Sequence, residues 1–279
     1  MPRAPEPDPP GIPELPPGLL GGASPSAGVT YRLLRLAWRG AAAALGFRVR
    51  VVGQEHLPSG ADGRSAGGWI LAGIPHRSWV DPFLPWGWLP AEPRQCFFGD
   101  ARTMARSPLR RWVMLRLGGV IPIPSRGGRA TFETHLAAAG EVIAAGAVFT
   151  LFPESGFMVP AGMARPVAAG LGYIALRTGA PIVPVVIGGN DQLFLGRRLT
   201  VAVLPGRTWQ GWANEAPGEP VAADAAVPAP GTAEERRMAH RVADGFHAGT
   251  ARAVREAWEA EIPAPGVRRR WTGLTTLFR

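Results

Sequence analysis

Between residues 48 and 204 the chain alternates short apolar, β-branched runs with longer stretches of helical spacing. The short runs lie at 48–52, 69–74, 95–98, 120–123, 148–152, 182–187 and 200–204, and the helical stretches at 82–89, 108–117, 129–145 and 166–178. Runs of four to six largely apolar residues bounded by Gly and Pro read as strands rather than helices. Alternating strands and helices predict α/β layering around a largely buried sheet. No internal repeat of fixed period interrupts this order.

The flanks read differently. Residues 1–28 are dense in Pro, Gly and Ser without a period, which predicts a disordered leader. Residues 29–47 carry Arg32, Arg35 and Arg39 at helical spacing, with Leu34, Trp38 and Leu45 facing elsewhere. Such an amphipathic helix suits membrane contact, its arginines near lipid phosphates and its apolar face among acyl chains. The same pattern suits an ordinary helix packed on the core, and spacing does not choose between them. Residues 209–232, rich in Pro, Ala and Gly, read as a linker after a domain spanning 48–208. Residues 233–279 read as a helical, basic tail ending near Arg268, Arg269, Arg270 and Trp271, either solvated or docked on anionic lipid.

Charge and cysteine content narrow the classes. All 30 basic residues are arginine against 21 acidic ones, giving +9. The absence of lysine suggests a GC-rich coding bias and rules out a P-loop, while the arginine excess favours phosphate-bearing partners. Cys96 is the only cysteine, so an intrachain disulfide, a CxxC motif and a multi-cysteine zinc site are excluded, and a reducing, cytoplasmic setting fits. No uncharged apolar stretch reaches about 18 residues, so a spanning helix is not evident. The acidic, proline-rich start is unlike a secretory signal.

Three segments carry candidate chemistry. Ile74-Pro75-His76-Arg77-Ser78-Trp79-Val80-Asp81-Pro82 follows a strand, and Asp81 before Pro82 predicts a helix N-cap with proline at the first helical position. His76 then lies on the strand-to-helix loop, where a turn can bring it against Asp81. A carboxylate fixes the imidazole tautomer and raises its basicity, which suits proton removal from a hydroxyl attacking a carbonyl. The strand at 148–152 ends in Pro153, Glu154, Ser155 and Gly156, at the end of an α/β strand where ligands gather. A glycine-led strand at 118–126 ends at Arg126, a side chain suited to bidentate phosphate contact.

Together these segments resemble the 1-acylglycerol-3-phosphate acyltransferases and related phospholipid and glycerol acyltransferases. His76, Ser78 and Asp81 match the family's first block, Gly119 to Arg126 its second, Phe152-Pro153-Glu154-Ser155 its Phe-Pro-Glu-Gly block, and Pro181 to Val185 its fourth. Arg102 stands where relatives commonly carry lysine. Ser155, Phe157 and Met158 depart from the family pattern, as does Pro75. The resemblance implies a mixed, mostly parallel sheet covered by helices, and acyl transfer from acyl-CoA or acyl carrier protein to a lysophospholipid-like hydroxyl in phospholipid biosynthesis. It further implies His76 as general base and Asp81 as its partner. Arg126, Glu154, Ser155 and Gly156 would bind the acceptor, with Arg102 as a second phosphate contact. No metal, redox cofactor or nucleic acid is implied, and the expected location is the cytoplasmic face of the membrane as a peripheral or monotopic protein. A non-phosphorylated lipid or glycolipid acceptor, or a non-catalytic membrane-binding relative, are the alternatives.

Other motifs compete weakly. Gly170, Gly172 and Ala175 spell a dinucleotide-type pattern with Asp191 downstream, which requires a strand ending at Gly170. Ser155 lacks the leading glycine of a nucleophile elbow. His240 and His247 are too far apart on a helix to share a metal, and His56 and His135 stand alone.

Overall fold

The computed structural model describes residues 26–58, 67–100, 119–123, 129–154, 162–262, 271, 272 and 274. Helix α1 (Val29–Ala44) leads into β1 (Arg48–Val52), β2 (Trp69–Ile74), α2 (Phe83–Trp88), β3 (Gln95–Asp100) and β4 (Val120–Ile123). Then follow α3 (Arg129–Ala144), β5 (Val148–Leu151), α4 (Gly170–Thr178), β6 (Ile182–Gly188), β7 (Arg198–Val203), α5 (Trp209–Ala213) and α6 (Ala233–Ala260). The expected helix at 108–117 lies outside the described residues.

Seven strands form one sheet in the order β1-β7-β6-β2-β5-β3-β4. Among the described strands only β6 and β7 pair antiparallel, and the other strand pairings are parallel. The sheet is therefore mixed and mostly parallel. Its central strands β2 and β6 are buried along their whole length, which is why both read as unbroken apolar runs. One face packs Ile70, Phe149 and Ile182 against Leu171 and Ile174 of α4 and Phe246 of α6. The other packs Leu71, Val148 and Val185 against Ala42 of α1 and Leu84 of α2. Each fully buried large apolar side chain contributes about 1.5 to 3 kcal/mol.

Two expected boundaries do not hold. Residues 209–232 are not simply a linker, because α5 inserts Trp209 and Trp212, each 3% exposed, into the core. Trp212 Nε1 also donates to Ile182 O at 3.2 Å. The helix beginning at 233 is not an appended tail either: α6 buries Val242, Ala243, Phe246 and Val254, and its Glu235 pairs with Arg177 of α4. Glycines of α6 and α4 permit this packing. A Cβ at Gly245 would lie 1.8 Å from Trp212 O, and one at Gly172 would lie 2.1 Å from Ala239 O. Gly172 thus serves a helix crossing. No strand runs into Gly170, which starts α4, so the dinucleotide pattern has no structural basis.

The arginines of α1 bond protein groups, Arg35 from a buried position and Arg32 and Arg39 from exposed ones. Arg35 is 4% exposed and donates to Gly87 O at 3.3 Å, Pro90 O at 3.1 Å and Leu89 O. Arg39 Nε reaches Gly87 O at 2.6 Å, and Arg32 pairs with Glu92. Cations thereby satisfy the carbonyls that the C-terminus of α2 leaves open. Turned outward instead are Val29, Leu33 and Leu36, which are 74%, 60% and 65% exposed.

Candidate active site

The C-terminal ends of β2, β5 and β6 meet at one rim of the sheet. Beyond Ile74 the chain turns through Pro75, after a cis peptide bond, into the loop that carries His76 and Asp81. Asp81 is fully buried. Its Oδ2 accepts from His76 Nδ1 at 2.9 Å, Arg77 N at 2.5 Å and Ser78 N at 2.7 Å. Its Oδ1 accepts from Ser78 Oγ at 2.7 Å and Asn190 Nδ2 at 2.9 Å.

Asp81 is therefore not the cap of the following helix. Pro82 holds the capping position of α2 without a side-chain bond, and the N–H groups of Phe83 and Leu84 bond Val80 O at 2.9 and 3.0 Å. With those donors satisfied locally, the carboxylate turns back and closes the loop around itself. An acceptor-only carboxylate opposite Nδ1 selects the tautomer with its proton on Nδ1, leaving Nε2 as the basic nitrogen. That assignment follows from the hydrogen-bond network.

The imidazole is fixed from two further sides. Its ring lies 4.7 Å from that of Phe152, centroid to centroid. Phe152 in turn occupies the space over Gly73, where a Cβ would lie 2.4 Å from the ring. Glu154 accepts from His76 N through Oε2 at 2.6 Å and from Arg165 N through Oε1 at 2.7 Å. Both carboxylate oxygens of the expected acceptor-binding residue thus bond backbone N–H groups and hold the loop. Arg77 is buried nearby and donates to Met163 O; burial pushes its pKa down, opposed by Glu154, Asp191 and Asp81. Arg102, Arg126, Ser155 and Gly156 lie outside the described residues.

Asn190 was not among the sequence candidates. It follows β6 directly, is 2% exposed, and also donates to Pro75 O at 3.0 Å. Its one signal in the sequence is the Gly188-Gly189-Asn190-Asp191 turn after an apolar strand. Gly189 adopts φ +83°, and a Cβ there would lie 2.3 Å from Arg198 O.

Beside His76 opens a cavity of about 380 Å³, lined mainly by Phe98, Phe132, Leu136, Phe152, Leu171 and Ile174. It forms where β3 and β5 part, beyond their last paired residues, Phe97 and Thr150. His135, which stands alone in the sequence, lines it too, its ring 5.5 Å from that of Phe98 and its pKa lowered by burial. Thr150 Oγ1 is buried with no partner among the described residues. An oriented imidazole at the mouth of an apolar cavity can take a proton from a hydroxyl while a greasy acyl group lies beside it. Among the described residues no group of three His, Cys, Asp or Glu side chains is placed to hold a metal ion.

The family model described as Acyltransferase matches residues 48–188, half of the chain. Among solved structures, the chain is similar to the crystal structure of the 1-acyl-sn-glycerophosphate (LPA) acyltransferase PlsC from Thermotoga maritima. The TM-score is 0.55 at 20% identity, covering 82% of this chain and 80% of that one, a likeness that speaks for the fold. No curated protein sequence matches. The family match runs from β1 to the end of β6 and takes in the His76 loop, Asp81 and Glu154, so the chain belongs to the acyltransferase family.

Proposed function

We propose that this protein moves a fatty acyl group from acyl-CoA or acyl carrier protein to the hydroxyl of a lysophospholipid-like acceptor in phospholipid biosynthesis. The observation that carries this reading is the His76–Asp81 pair, 2.9 Å apart, at the mouth of the apolar cavity. His76 Nε2 takes the hydroxyl proton as the oxygen attacks the thioester carbonyl. The tetrahedral intermediate then expels the thiolate, which receives that proton from the imidazolium, and an ester bond has replaced the thioester. Asp81 holds the ring and stabilises its charged form. The reaction needs no metal or redox cofactor. Arg126 and Arg102 supply phosphate contacts in this reading, with Ser155 and Gly156 at the acceptor side.

Membrane contact belongs to the same proposal, with the opposite orientation from the one arginine spacing suggests. Val29, Leu33 and Leu36 recur at helical spacing on the outer side of α1, an apolar stripe suited to the interface of the cytoplasmic leaflet. No described helix is long and apolar enough to cross a membrane.

The test is an assay of the purified full chain with acyl-CoA or acyl carrier protein donors and a panel of lysolipids and glycolipids. Ester formation on a phosphate-bearing lysolipid that Arg126→Gln weakens through acceptor KM bears the reading out. Ester only on neutral acceptors moves it to the glycolipid alternative, and no ester on any acceptor points to a non-catalytic relative.

A further inference from the structure

At the edge of the sheet formed by β1, away from the cavity between β3 and β5, β1 and β7 pair in parallel with Arg48 beside Arg198 and Arg50 beside Thr200. Residues two apart on a strand share a face, so the three arginines stand together. They line a cleft of about 490 Å³ that Thr200, Ala260 and Glu261 help to close. All three are exposed, and none has an ion pair or side-chain hydrogen bond among the described residues. Glu261 is the one acid among the described lining residues, and its carboxylate accepts from Thr200 Oγ1 at 2.6 Å.

Like charges placed opposite each other across a strand pair are destabilising. Charged side chains do protect an edge strand such as β1 from unwanted pairing. That purpose is served by one charge, whereas Arg48 against Arg198, with Arg50 alongside, concentrates repulsion that a bound anion would relieve. Three guanidiniums in one concavity of small-molecule size suit phosphate oxygens, which each can grip bidentately.

The cleft is also level with the His76 loop. Strand β7 runs antiparallel to β6 with Gly188 beside Thr200, and continuing that register sets Arg198 level with Asn190. Asn190 bonds Asp81. Three strand spacings separate β1 from β2, about 14 Å. The C-terminal end of α6 lies over Gly188 of β6 between them, so the extended pantetheine arm of a CoA thioester would pass over Ala257 and Glu261 to reach His76.

We propose that the Arg48–Arg50–Arg198 cleft binds the phosphates of the nucleotide end of a CoA thioester donor, placing its thioester toward His76. The inference rests on the acyl-transfer reading for the choice of CoA, and its test does not depend on turnover. Free CoA and 3′-dephospho-CoA are titrated calorimetrically into the full chain and into the Arg48→Gln/Arg50→Gln/Arg198→Gln variant at low and high salt. The variant loses affinity for CoA at least about tenfold, and wild-type binding weakens with salt and with removal of the 3′-phosphate. Without CoA the variant melts no lower than wild type, since repulsion has been removed, but CoA no longer raises its melting temperature. In turnover, donor KM rises while kcat at saturating donor and acceptor KM hold. Equal CoA affinity in variant and wild type overturns the proposal, as does a wild-type chain that binds an acidic carrier protein but not CoA. If CoA binding depends on the arginines while no ester forms, the cleft stands and the reaction falls.

Discussion

The loop around Asp81 and the cavity beside it meet at His76, yet they are held by different forces. The loop is directional: five hydrogen bonds converge on one buried carboxylate, from three backbone or side-chain groups of residues 77 and 78, from His76 and from Asn190. The cavity is lined by aromatic and aliphatic surface that constrains volume far more than angle, and it even leaves Thr150 Oγ1 without a partner among the described residues. In the proposed reaction a proton moves between two named atoms, and there the fold fixes geometry. Where the proposed acyl chain would lie, it fixes space. Loop substitutions should therefore alter rate, and cavity substitutions should alter which chain is accepted.

The largest expected effects come from the loop. His76→Ala should lower kcat about 100 to 10,000-fold with donor and acceptor KM little changed, the range a positioned general base supplies. Its side chain is 23% exposed and four other bonds to Asp81 remain in the variant, so thermal melting should shift less than when Asp81 is removed. Asp81→Ala should match that loss of rate and also destabilise, because Ser78 Oγ, Asn190 Nδ2 and the N–H groups of Arg77 and Ser78 lose a common acceptor. Each buried orphan costs about 1 to 3 kcal/mol. Denaturant unfolding separates the two variants; equal stability would mean that the bonds to Asp81 do not hold the loop.

Asn190→Ala should be milder, with kcat down about tenfold and stability lower by about 1 kcal/mol, since one donor to Asp81 and one to Pro75 O are lost. A change confined to KM would remove it from the positioning network. In the cavity, Leu136→Phe should leave kcat for short acyl donors intact and raise KM for long ones, at an overpacking cost of about 1 to 3 kcal/mol. An equal effect on all chain lengths would break the contrast between loop and cavity.

The smallest effect concerns pH. Burial holds the His135 pKa below its ordinary value. The unfolded chain therefore binds a proton there at a higher pH than the folded one, and stability falls as pH drops below the unfolded value of about 6.5. His135→Phe should flatten that acid limb in melts recorded between neutral and mildly acidic pH. An unchanged slope would assign the acid limb to other groups.

Much of this was legible beforehand. Strands β2 and β6 stand out because burial on both faces demands continuous apolar runs, and His76, Asp81 and Glu154 fall at strand ends where spacing makes them visible. Direction was not legible. Helical spacing groups Arg32, Arg35 and Arg39 on one face but does not say whether that face meets lipid or the open carbonyls of α2. The Asp81-Pro82 pair carries a capping signal that tertiary bonding overrides. Asn190 lies 109 positions from Asp81, and nothing local marks an asparagine as the partner of a distant carboxylate. The tryptophans of α5 sit in a stretch whose average composition hides two buried anchors.

The most direct test of the account is a single-turnover experiment with excess enzyme and acyl-CoA, recording thiol release with and without a lysophospholipid acceptor, in wild type and His76→Ala. Direct transfer through a general base predicts that thiol appears only when acceptor is present, in step with ester, and that His76→Ala slows this step by at least about 100-fold. Thiol released in a burst without acceptor, or at the wild-type rate in His76→Ala, would contradict it.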